Sequence, residues 1–84
     1  MTYLVIIPKS VQKELDRLPK RIADKILHEI ATLEENPRPL NCRKLSGRDT
    51  WRIRVGDYRI IYEIDDKART VILYRVKHRG DAYR

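Results

Sequence analysis

Residues 51–62, Trp-Arg-Ile-Arg-Val-Gly-Asp-Tyr-Arg-Ile-Ile-Tyr, constrain this chain more than any other stretch. Alternation puts Trp51, Ile53 and Val55 on one side of a strand and Arg52 and Arg54 on the other. Gly56-Asp57 reads as a two-residue hairpin turn, because glycine supplies the positive φ that such turns require. That turn sets the register, with Val55 opposite Tyr58 and Arg54 opposite Arg59. Like charges directly opposed across two strands destabilise a sheet. The ordinary fate of such a face is solvation. A cluster of Arg52, Arg54 and Arg59 is nevertheless costly to gather unless an anion covers it, and phosphate suits it.

The rest of the chain surrounds this hairpin with a small α+β domain. Tyr3–Ile7 is apolar and largely β-branched, the signature of a buried strand. Pro8 ends it, and Ser10 is the expected cap of a short helix carrying Val11, Leu15 and Leu18. Pro19 breaks that helix and suits the start of a second one. There Ile22, Ala23, Ile26, Leu27, Ile30 and Leu33 form an apolar stripe, with His28 on the solvent side. Residues 36–39, Asn-Pro-Arg-Pro, stop the helix. Residues 38–49 read as an extended loop, with Leu45 as a core anchor and Ser46-Gly47 as a turn. Strands follow at about 50–55, 58–64 and 70–77. The expected architecture is β-α-α-β-β-β, two antiparallel helices packed on a mainly antiparallel four-stranded sheet. In the last strand Arg75 and Lys77 share parity, and Arg79 continues it, so the uncovered face is expected to be a basic concavity.

Size and charge narrow the function. The 84 residues suffice for one domain, 1–84, with 42% hydrophobic residues to build its core. Net charge is +7, and all of it arises in residues 38–84, since residues 1–37 carry six basic and six acidic side chains. A one-sided positive field fits a polyanion, above all nucleic acid. No helix joins a basic face to an exposed apolar one, which argues against a membrane surface. The apolar run near the start is too short for a signal peptide or a span, so the expected compartment is cytoplasmic. Cys42 is the sole cysteine, excluding an intramolecular disulfide and a multi-cysteine zinc site. No metal-ligand spacing, glycine-rich phosphate loop or serine elbow is present, and no cofactor is expected.

Catalysis would therefore rest on arginine, tyrosine and histidine. One reaction suits them: attack of an RNA 2′-OH on its own 3′ phosphate, which requires no metal and no external nucleophile. Guanidinium forks match the equatorial oxygens of the phosphorane-like transition state. Tyr83 or His78 would serve proton transfer. Arginine is a poor base, since its pKa exceeds ~12.

The hairpin, the preceding Leu45-Ser46-Gly47 and the closing run Val76-Lys77-His78-Arg79-Gly80-Asp81-Ala82-Tyr83 together resemble the RelE branch of the RelE/ParE toxin superfamily. The similarity extends over essentially the whole chain. It implies a toxin of a type II toxin–antitoxin pair that enters the ribosomal A site and cuts the mRNA codon there. It also implies a RelB-like antitoxin that wraps the toxin, and a complex that binds operator DNA through the antitoxin. By that resemblance Arg59 and Arg79 hold the scissile phosphate, Arg52 and Arg54 bind RNA and stabilise charge, and Tyr83 stacks on or orients the cleaved nucleotide. The positions of Arg52 and Arg54 are lysines in the best-known members, and residues 36–48 lack the Asp, Glu or His base of some relatives. His78 thereby joins the candidates for the base. Two other readings accompany this one: a ParE-type toxin that binds DNA gyrase, and a catalytically weak toxin acting mainly in an antitoxin–repressor complex.

Overall fold

The computed structural model describes residues 2–45, 49–78 and 80. In chain order they form β1 (Leu4–Ile6), α1 (Lys9–Asp16), α2 (Lys20–Thr32), β2 (Arg43–Lys44), β3 (Thr50–Val55), β4 (Tyr58–Asp65) and β5 (Thr70–His78). The strands make one mixed sheet in the order β1-β5-β4-β3-β2. The sheet thus has five strands where four were expected. The fifth, β2, lies in the stretch read as an extended loop. Its pairing with β3 satisfies a backbone that sequence pattern alone left unassigned. β1 runs parallel to β5, and the remaining pairs are antiparallel.

Both helices open on a proline. Pro8 and Pro19 occupy the cap positions in extended conformation, and neither helix start has a side-chain cap. The Pro8 carbonyl accepts from the Val11 and Gln12 N–H groups, and that of Pro19 from Ile22 and Ala23. Ser10, expected as a cap, is instead an exposed residue of the first turn of α1. Proline takes the cap position because its fixed φ and missing N–H cost nothing there.

The core lies between the helices and one face of the sheet. Val11 and Leu15 of α1, with Ile26, Ile30 and the following Leu33, meet Ile53, Val55, Ile60, Tyr62, Ile64, Val71, Leu73 and Val76. Trp51 and Tyr58 pack at its margin, as their alternation predicts. Leu27 is exposed, at the edge of its stripe. Leu45 is half-buried and outside the core cluster, lining the opposite face instead.

The turn chemistry holds in detail. Gly56 has φ +59° and Asp57 does not share the positive φ, the pattern of a turn in which only the first central residue requires it. Val55 pairs with Tyr58 and Arg54 with Arg59. The β4–β5 ladder carries one irregularity: Ile61 pairs with Arg75 but Tyr62 pairs with Leu73, so Tyr74 is an extra residue on β5. Beyond it the inward residues of β5 change from odd to even positions, Val71 and Leu73 giving way to Val76.

Candidate functional site

The face turned away from the helices gathers cations in rows, because residues paired across strands share a face. Arg54, Arg59 and Lys77 are successive partners across β3, β4 and β5. The next row is Arg43, Arg52, Ile61 and Arg75, across β2 to β5. Arg43, Arg52, Arg54 and Arg59 line one groove of about 430 Å³, with Leu45 and Ile61 in its wall. A second recess of about 490 Å³ shares Arg43, Arg52 and Arg54 and is closed by Leu40, Asn41 and Cys42. Arg59 is only 9% exposed although it belongs to the uncovered face. Its side chain is therefore a buried floor group, and Arg54 is an exposed rim group.

The loop beside this groove is tied down from two sides. The Tyr62 hydroxyl donates to the Pro37 carbonyl at 2.7 Å, and burial holds that phenol well above its ordinary pKa. The Arg38 guanidinium donates two bonds to the Asp66 carboxylate at 3.2 and 2.8 Å, and the Tyr3 hydroxyl gives it a third at 2.7 Å. Led by the Arg38 bonds, this set lowers the Asp66 pKa to about 2. Arg38 also lies 5.1 Å from the centre of the Trp51 ring. A turn follows, closed by the Cys42 N–H donating to the Pro39 carbonyl at 3.0 Å, and β2 then joins the sheet.

The expected site residues separate in the structure. Arg52, Arg54 and Arg59 share one face, as their parity requires. His78 pairs with Tyr58, not with the arginine rows, and its ring meets that of Tyr58 edge-on at 5.3 Å. It lines a recess at the β5 edge with Glu14, Arg17 and Leu18 of the helical side and with Arg75 and Lys77. Arg79 and Tyr83 lie outside the described residues, as does the Ser46-Gly47 turn. Arg75, expected on the basic face, gives its charge to Glu14 of α1 at 3.0 Å, while the other oxygen of that carboxylate accepts the Val76 N–H at 2.9 Å. Glu14 thereby satisfies a strand-edge donor and removes one cation from the open face.

Arg43 was missed by sequence reading and sits opposite Arg52. The Leu45 N–H donates to the Thr50 carbonyl, which puts Lys44 opposite Trp51 and Arg43 opposite Arg52, a strand pairing that local pattern does not carry. Lys44 itself turns toward the Trp51 ring, at 5.9 Å, and toward Asp49 at 3.9 Å.

Comparison with known proteins agrees with this geometry. A family model described as the ParE toxin of the type II toxin–antitoxin system parDE matches residues 5–83. Toxin RelG of Mycobacterium tuberculosis is 37% identical over 87 residues, spanning 100% of this chain and 99% of RelG. Among solved structures, the toxin–antitoxin complex RelBE2 of Mycobacterium tuberculosis matches at 30% identity and TM-score 0.82, over 94% of this chain and 100% of that one. The archaeal RelE–RelB complex of Pyrococcus horikoshii OT3 matches at 38% identity and TM-score 0.86, over 95% of this chain and 98% of that one.

Proposed function

The chain belongs to the RelE branch of the RelE/ParE superfamily of type II toxins, and from that premise we propose that it is a ribosome-dependent endoribonuclease cutting mRNA in A-site codons. The observation that supports this most is the Arg54–Arg59–Lys77 row, flanked by Arg43 and Arg52 on the same open face. Three cations in adjacent register repel one another, and a phosphate turns that repulsion into binding.

The reaction forms the O2′–P bond and breaks the P–O5′ bond. It leaves a 2′,3′-cyclic phosphate and a 5′-hydroxyl, with one proton removed from O2′ and one delivered to O5′. Arg59, held in the floor, contacts the non-bridging oxygens as negative charge grows on them. Arg52 and Arg54 bind the flanking backbone and share in that stabilisation, while Arg43 and Lys77 extend the cationic track. Following the family resemblance, Arg79 completes the phosphate clamp, and Tyr83 orients the nucleotide and moves a proton. His78 stays out of proton transfer in this scheme, since it stands edge-on to Tyr58 on the other face.

The partner is an antitoxin, by analogy with the RelE–RelB complexes. Its toxin-binding segment should be acidic, to meet the +7 charge, and amphipathic. Leu4 and Ile6 of the edge strand β1 are exposed apolar side chains for it to cover. Operator binding through the antitoxin and action in the cytoplasm belong to the same reading.

The test is inducible expression of wild type, Arg59→Ala and Arg79→Ala, with primer extension on cellular mRNA. Codon-positioned cuts are expected for wild type, with a loss of about 10²-fold or more for each variant, the scale of removing one transition-state donor. His78→Ala should cut as wild type does. Arrest without cuts but with DNA damage would replace this reading with gyrase poisoning, and no arrest at all with the antitoxin-bound repressor component.

A further inference from the structure

We infer that the turn residues Leu40 and Asn41 form the base-reading lip of the site, so that they set which codons are cut. The inference rests on the nuclease reading above. Its warrant is the placement of these two residues. They are the central pair of the turn closed by the Cys42 N–H and the Pro39 carbonyl. The turn is anchored before it by the Tyr62–Pro37 bond and the Arg38–Asp66 pair, and after it by β2. Its tip is therefore presented by a fixed frame.

A single exposed leucine is ordinary on a protein surface. Leu40 differs in its position: it is fully exposed and still lines the recess that contains Arg43, Arg52 and Arg54. Those arginines also line the groove that contains Arg59, so the two recesses adjoin with Arg43, Arg52 and Arg54 between them. The recess at Leu40 adjoins the arginines that would hold the backbone, so it is within reach of a base next to a phosphate bound at Arg54 and Arg59. The apolar side chain offers a surface for the face of a base, which is a sequence-tolerant contact.

Discrimination requires a group that reads an edge, because phosphate contacts carry no sequence information. Among the described residues lining the two recesses, Asn41 has the neutral amide, with both a donor and an acceptor. Among the described residues, the remaining lining side chains are cationic or apolar, apart from the Cys42 thiol. Asn41 is exposed, so its amide is open to a base.

The experiment is primer extension on a defined mRNA in a translating extract, with wild type, Leu40→Ala, Asn41→Ala and Asn41→Asp, each first shown to melt as wild type does. The expected result is a changed distribution of cut codons for the Asn41 variants, with relative frequencies at some codons moving about five-fold or more, the low end of what one hydrogen-bonded base contact discriminates. Leu40→Ala should weaken cutting at the favoured codons most. An unchanged distribution overturns the inference. So does an equal loss at every codon by a folded variant, which is the mark of a lost phosphate contact. If wild type itself makes no cuts, the nuclease reading has failed, and that outcome is separate from both.

Discussion

Removing the Tyr62 hydroxyl would leave the buried Pro37 carbonyl without its donor. Tyr62→Phe should cost about 1–3 kcal/mol, the range for orphaning a buried polar group, read as a lower urea midpoint. Alternation marked Tyr62 as an inward residue, yet nothing local revealed its polar partner, which lies 25 residues earlier. Asp66 is a second case. Its folded pKa of about 2 lies below the ordinary carboxylate value, so its contribution to stability is complete above about pH 4 and disappears as pH falls through 2. Wild type should therefore lose more stability than Asp66→Asn between pH 4 and pH 2, measured by urea melts at each pH. In the sequence Asp65-Asp66 is only a polar turn, because the bonds from Arg38 and Tyr3 arrive from distant segments.

At the scale of elements, the hairpin and the last strand behave differently. Gly56 has open space where a Cβ would go, so Gly56→Ala tests its φ alone. The expected cost is about 1–2 kcal/mol of stability, from the left-handed conformation. That turn was legible because its determinants are adjacent in the chain. The irregularity at Tyr74 was not, since it depends on how β5 fits β4 and α1 together. Glu14 holds the far half of β5, with one oxygen on the Val76 N–H and the other on Arg75. Glu14→Ala should cost about 1–3 kcal/mol and raise the amide exchange rate at Val76 above that of its neighbours.

Across the whole molecule the open face is polarised. β4 carries Arg59 near the hairpin end and Glu63 toward the other end, where Asp49, Asp65 and Asp66 line a further groove. Such a field orients a polyanion before contact. Binding to single-stranded RNA should weaken steeply with salt, and Arg54→Ala should reduce the slope of log K against log salt by about 0.7, the share of one phosphate contact. Without RNA the same substitution relieves repulsion with Arg59, so the free protein should be unchanged or a few tenths of a kcal/mol more stable. Opposite effects on stability and on RNA binding would identify the cluster as kept for its ligand.

The sequence by itself determined the helices, the hairpin, its register and therefore the common face of Arg52, Arg54 and Arg59. Each follows from periodicity or from turn chemistry within a few residues. Tertiary structure alone decided that Arg43 joins them, that Arg75 is withdrawn to Glu14, that His78 faces Tyr58, and that Leu40 and Asn41 stand at the rim of the groove. These are contacts between segments far apart in the chain. They depend on which strand edges remain unpaired and on where one extra residue shifts a strand, and local pattern carries no record of either.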